Sequence, residues 1–442
     1  MPNLAAPVGI ALLSFLMPIE AAGCAFLVIG VLGFGFGFGY LVRCFQCRPT
    51  VVEFIGFLWA FGYFLERGYV SYLFGLPIAF VAVGLVHRQA TRPGRRARLV
   101  VLVVLQILAF LAHLVAWAVL VLATACYAVD LYRRGRRAEA LCLLSTAAPS
   151  GILFVWYTVA AREVGHFAVF PNVREKLLSL AETVLLFPRL DPYSGSVPSF
   201  PAQLLIVGAF LGIAAWGVHH RSAVAALRTP AGITAMILAT AALLDPVGNV
   251  NSLTKPDQRL LFPALLLVLA ALPWKTLRPS TAAAGLGLVA TSLALHGASF
   301  VSMDAPLQQA NAAIDEAIPD DAAVATVAIP ADGGCRTGTG PSIGIPALKW
   351  FDVHRMLDRD EVRADLQETS GIALRFEPVG SPGLTTLSTA TTAVGAALDA
   401  TQTTYVEVFG CPADLARVRE TLVGRYTEIC SVEGLAVLRR SP

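Results

Sequence analysis

Apolar stretches long enough to cross a bilayer follow one another from about Ala21 to Phe300, and then they stop. A helix crosses the hydrocarbon core of a membrane with about 20 apolar residues. Backbone polar groups find no water there, so each such stretch must satisfy its own hydrogen bonds as a helix. The rest of the chain, from about Met303 to Pro442, has the mixed polarity of a water-soluble domain. The expectation is an α-helical polytopic membrane protein. Residues 1–300 would form the transmembrane helical domain and residues 301–442 a soluble, extracytoplasmic α/β domain.

Charge divides at the same place. The chain is 56% hydrophobic and 14% charged, against about 25% charged residues in an average soluble domain. Residues 1–300 carry 22 Lys and Arg against 11 Asp and Glu, whereas residues 301–442 carry 11 against 19. A cationic membrane part is the signature of cytoplasmic loops, and an acidic soluble part excludes nucleic acid as a partner.

Spans are read near residues 20–42, 50–65, 68–87, 98–112, 114–132, 138–160, 201–219, 230–245, 259–274 and 280–300, about 10 transmembrane helices. The run from Leu99 to Leu131 as one helix would reach about 50 Å, so it is divided at His113. The run from Val51 to Val86 is divided at Glu66-Arg67-Gly68, because a charged pair is cheap at a surface turn and costs a few kcal/mol per residue at mid-bilayer. With this threading, 15 cationic residues fall on one side, among them Arg43, Arg48, Arg88, Arg92, Arg98 and Arg133 to Arg137, against six on the other. The positive-inside rule assigns the first set to the cytoplasm. The chain is then expected in the inner (plasma) membrane, multi-pass, with its C-terminal domain outside. Residues 8–18 are apolar but too short to span, which reads as a surface helix or as the sign of a missing upstream segment.

In the C-terminal part, Ala322–Ile329, Thr404–Phe409 and Cys430–Leu438 have strand composition, and Leu415–Val423 reads as a helix. This alternation points to a small open sheet. Asp332 to Pro341 is Gly-rich, but its spacing matches no nucleotide-binding loop. In an oxidising compartment Cys335 and Cys411, each following a strand, are the candidate disulfide. Cys44 and Cys47 form a lone C-x-x-C with no second pair, so no metal site and no cofactor is expected.

The polar residues that stand out are few. Arg259 enters a span beside Asp257 and Lys255. It reads either as a snorkelling anchor or as a guanidinium aimed at a lipid phosphate. His113, at the break between two spans, reads as a satisfied structural residue or as part of an outward-facing site. Glu66-Arg67 reads as an ion pair at a turn. Asp245 ends a span and is the best-placed carboxylate for a general base, or else a helix-end or loop residue.

Several stretches together resemble the GT-C-type polytopic glycosyltransferases of bacteria, relatives of the protein O-mannosyltransferases and lipid A aminoarabinose transferases. Arg67-Gly-Tyr-Val-Ser-Tyr-Leu-Phe-Gly-Leu-Pro is similar to their GY-x-x-Y-x-x-GL helix. Leu111-Ala-His113 is similar to their His at a short helical hairpin, and Gln258-Arg259-Leu-Leu-Phe-Pro263 to their Arg-to-Pro start of a late span. Trp350 to Leu357 and Gly434 to Leu438 resemble their periplasmic domain. The resemblance implies transfer of a sugar from a polyprenyl-phosphate donor to an acceptor of unknown identity at the outer face, with membrane lipid as the surrounding partner. Arg259 would hold the phosphate, Lys255 and Arg67 would add field, and His113 would line the cavity. It also implies an acidic base in a first outer loop. Met1–Glu20, with Glu20 its sole carboxylate, does not supply that pattern. The base is then Asp245, or an upstream helix and loop are lacking, or the chain is an inactive scaffold or assembly subunit whose outer domain binds a partner. A transporter is the third expectation, weakened because no internal repeat is found.

Overall fold

The computed structural model describes residues 4–60, 70–94, 96–160, 220–244, 256–274 and most of 279–291. Farther along it describes 324–328, 387–388, 404–409, 424–432 and 435–441, with a few isolated helical positions between these segments. The chain divides into two compact units, 1–188 with 201–294, and 189–200 with 295–442.

The first unit is helical throughout its described residues. Its elements are α1 (Ala5–Ser14), α2 (Ile19–Gln46), a 3₁₀ turn (Val51–Phe54) running into α3 (Ile55–Ala60), α4 (Val70–Thr91), α5 (Arg96–Ala112) and α6 (Leu114–Arg133). They continue as α7 (Arg137–Ser145), α8 (Ala148–Ala160), α9 (His220–Leu227), α10 (Pro230–Leu244), α11 (Pro256–Ala271) and α12 (Ala282–Thr291). Among the described residues three helices are long and apolar enough to cross a membrane, Ala21–Gln46, Val70–Thr91 and Leu114–Arg133. A fourth span is formed if α7 and α8, bent by 45°, count as one. These helices point to a membrane protein. Their outward faces agree: Val28, Ile29 and Phe36 of α2 and Ile152, Val155 and Trp156 of α8 are exposed, a surface that lipid tolerates and water penalises.

The break expected at His113 is present, and a single extended residue makes it. His113 has φ −165° and ψ 129°, and its ring Nδ1 accepts the Val115 N–H, capping α6. Polar ties hold the neighbouring helices in register: Gln106 Nε2 donates to Thr146 Oγ1 at 3.2 Å, and Trp117 Nε1 to Ser150 Oγ at 2.9 Å. The short N-terminal helix α1 does not span. Its start is fixed to this same end of the bundle, with the Leu4 N–H donated to the Leu111 carbonyl at 2.9 Å.

Helix α4 is the hub, packed against α2, α5 and α6. Glycine allows the close approaches. A Cβ on Gly37 would stand 2.9 Å from Pro77 Cα, and one on Gly56 would stand 3.1 Å from Gly35 Cα. Small residues at helix contacts are how membrane helices gain packing when burial from water no longer drives them together.

Six of the arginines assigned to one side, Arg43, Arg48, Arg88, Arg92, Arg98 and Arg136, gather at one end of this unit. Arg98 Nη1 donates to the carbonyls of Arg88 and Arg92, and Arg136 Nη1 to that of Ala90. Arg48 Nη2 donates to the Trp274 carbonyl, and Gln46 Nε2 to those of Ala270 and Leu272. The ends of α2, α4 and α11 and the start of α5 therefore lie together.

The second unit contains a five-stranded sheet built from β1 (Val324–Ala328), β2 (Leu387–Ser388), β3 (Tyr405–Phe409), β4 (Tyr426–Val432) and β5 (Leu435–Arg440). The order is β2-β1-β3-β5-β4, with β1 parallel to β2 and β3, and β5 antiparallel to β3 and β4. The stretch expected as one strand, Cys430–Leu438, is instead the turn of a hairpin. β4 pairs back on β5 with Cys430 opposite Val437, and a bulge falls between Glu428 and Cys430. Consecutive residues Ala436, Val437 and Leu438 are all buried, so β5 is covered on both faces. That removes the polar–apolar alternation by which two strands would have been separated. Leu415 and Leu422, within the stretch read as a helix, are also buried.

Candidate functional site

The site is assembled from three helix starts at the end of the first unit opposite the arginines. Tyr72 lies in the first turn of α4, Arg259 in the first turn of α11, and His113 at the start of α6. Sixteen residues of α4 separate Tyr72 from Arg88, about 24 Å at 1.5 Å per residue. Arg259 Nη1 stands 3.1 Å from His113 Nε2, across 146 residues of sequence. Tyr72 donates its hydroxyl to the Arg259 carbonyl at 2.7 Å, and its ring meets the His113 ring edge-on with centroids 5.0 Å apart.

All three are buried, Tyr72 at 1% exposure, His113 at 2% and Arg259 at 6%. An anchoring arginine reaches outward to headgroups, whereas Arg259 is turned inward, so the snorkelling alternative does not hold. Helix packing makes room for this. A Cβ on Gly75 would stand 3.0 Å from the Cβ atoms of both His113 and Ala116, so a larger residue there would push α4 away from the break.

The hydrogen-bond chemistry of His113 is informative. A neutral imidazole has one donor nitrogen and one acceptor nitrogen. Nδ1 accepts from the Val115 N–H at 3.2 Å, so Nε2 carries the proton. Nε2 then faces Arg259 Nη1, which can only donate. Reversing the tautomer satisfies the arginine and breaks the helix cap. One ring cannot serve two donors, and the neutral ring that keeps the cap converges with the guanidinium as a pair of donors. A guanidinium bonds an anionic oxygen with planar, charge-assisted geometry.

Of the residues singled out from the sequence, Arg259 and His113 are brought together. Arg67, Asp245, Lys255, Cys335 and Cys411 lie outside the described residues. Cys44 and Cys47 are free thiols, and no group of three or more metal-ligating side chains occurs among the described residues. Tyr72 was not singled out as a site residue from the sequence, although it is the second tyrosine of the GY-x-x-Y stretch. Comparison with protein-family models, with curated proteins and with solved structures returns no match. The likeness to GT-C glycosyltransferases thus rests on the residues quoted for it.

Proposed function

We propose that the chain is a GT-C-like membrane protein of about 10 spans that handles a polyprenyl-phosphate-linked sugar at the outer face of the plasma membrane. The observation that carries this reading is the buried approach of Arg259 Nη1 to His113 Nε2 at 3.1 Å. An ionisable side chain inside a membrane is costly and marks a functional site by default. A phosphate oxygen beside this pair could accept from the Arg259 guanidinium in a charge-assisted bond. If the positive-inside rule assigns the arginine-rich end to the cytoplasm, this cluster lies toward the outer half, with the C-terminal unit also outside. The reaction would be inverting glycosyl transfer: a carboxylate, Asp245 being the candidate, deprotonates the acceptor hydroxyl, and the phosphate leaves from the anomeric carbon with Arg259 stabilising its charge. Lys255 and Arg67 add positive field. No metal is required for that step.

The test is binding of a polyprenyl-phosphate analogue to the full chain in neutral detergent. Arg259→Ala abolishes it, and Arg259→Lys weakens it because an ammonium cannot bond in the same planar, bidentate way. Unchanged binding in Arg259→Ala retires the phosphate role. Protease added to intact spheroplasts should digest the C-terminal unit; protection of that unit would overturn the sidedness and the outer-face chemistry with it.

A further inference from the structure

The arginine-rich end of the first unit is more than a set of cationic loops. The end of α2, the end of α4 and the start of α5 enclose a cavity of about 890 Å³, within the roughly 300–1,000 Å³ typical of small-molecule sites. Arg43, Arg48, Arg88, Arg92 and Arg98 line it together with His87, and no carboxylate is among its lining residues. Orienting a membrane protein needs only positive charge on one side. It does not need the charges to face one another across a cavity, where they repel.

The Arg88 and Arg98 guanidiniums are held in place. Arg98 Nη1 is bonded to the Arg88 carbonyl at 2.9 Å, the Arg92 carbonyl at 3.0 Å and Gln89 Oε1 at 3.3 Å. Arg88 lies 5.1 Å from the centre of the Tyr40 ring, a cation–π contact. Arg43 is the exception, paired with Glu53 at 2.7 Å. Carbonyls and a ring position Arg98 and Arg88 without neutralising them. Chain turns complete the wall. Cys47 adopts the left-handed conformation with φ 55°, ending α2 so that Arg48 turns back to the Trp274 carbonyl at 2.6 Å. Gly94, with φ +112°, turns the chain from α4 into α5.

We propose that this cavity binds a diphosphate-class anion, held by Arg88, Arg92 and Arg98. Planar guanidiniums, those of Arg88 and Arg98 fixed in place, match phosphate oxygens bidentately, and the volume exceeds what one phosphate fills. The same chemistry is offered by an anionic lipid headgroup and by a soluble diphosphate ester. This site is separate from the Arg259 cluster and stands or falls independently of it.

The experiment is calorimetric titration of inorganic pyrophosphate into the full chain in neutral detergent. Saturable binding in the millimolar range or tighter is expected. The double variant Arg88→Gln/Arg92→Gln should weaken it at least about tenfold. Arg133→Gln removes the same charge at the same end but outside the cavity, and should change it less than about twofold. No saturable binding, or equal losses in the control and the cavity variants, would overturn the proposal. Circular dichroism and thermal unfolding verify that each variant is folded. If Arg88→Gln/Arg92→Gln does not fold, Arg92→Gln alone carries the comparison. Repeating the titration in nanodiscs separates the sources. Competition by phosphatidylglycerol or cardiolipin, absent with phosphatidylcholine, identifies a lipid headgroup, and undiminished binding identifies a soluble diphosphate.

Discussion

Arg259→Met is the substitution that separates a functional arginine from a structural one. Methionine has similar length and adapts to an irregular cavity, so the volume is kept and the charge is lost. Arginine at the middle of a membrane helix costs about 2.5–3.5 kcal/mol. Arg259 sits in the first turn of α11 at 6% exposure, so the lower part of that range applies. Against this stands the loss of its contact with His113. A hydrogen bond to a charged group contributes about 1.5–3 kcal/mol when its geometry is matched. With His113 Nδ1 accepting from Val115, this contact sets donor against donor, so its loss costs less than that range. The gain therefore offsets the loss, and the variant should be as stable as the parent or up to about 2 kcal/mol more so. The assay is reversible unfolding in mixed micelles by SDS titration, followed by circular dichroism, alongside binding of the polyprenyl-phosphate analogue. Binding should vanish while stability holds. A loss of more than about 3 kcal/mol, the cost of removing one partner from a matched buried pair, would refute the reasoning and make Arg259 a structural tie.

Other outcomes follow from particular contacts. Gly37→Ala should destabilise by about 1–3 kcal/mol in the same unfolding assay, since its Cβ would meet the Pro77 backbone. Gly23→Ala, which meets nothing within 4 Å, should be neutral or stabilising by up to about 1 kcal/mol. Thr146→Val strands the buried Gln106 amide that donates to it, costing about 1–3 kcal/mol, and adding Gln106→Leu should recover most of that loss. In the second unit, burial pushes the Cys430 thiol up, with the Glu316 and Glu428 carboxylates adding to the shift. A raised thiol pKa means less thiolate at a given pH, so iodoacetamide should label Cys430 more slowly at pH 8 than an unstructured cysteine. The rate should climb as pH rises further, and Glu428→Gln should accelerate it. Labelling as fast as the unstructured control would contradict this.

Among the described residues, the helical character of the apolar runs, the break in the Leu99 to Leu131 run and the shared end of Arg88, Arg92 and Arg98 are readable along the chain, whereas the 45° bend that splits the expected span 138–160 into two helices is not. Hydropathy adds up residue by residue over one helix length, and neither quantity depends on a distant partner. His113 shows the limit of that legibility. Its position at a break is local, but its meaning comes from a guanidinium 146 residues away, brought near because Gly75 lets α4 lie against the break. The basic cavity is similar, since each arginine is an ordinary helix-end or loop residue until three helix ends border a common space. The β4–β5 hairpin was hidden for the opposite reason. β5 is buried on successive residues and lacks alternation, while β4 at the sheet edge exposes Thr427, Glu428 and Ser431, so only their pairing distinguishes two short strands from one long one. Contacts between remote segments depend on shape and close approach, which no window along the chain contains.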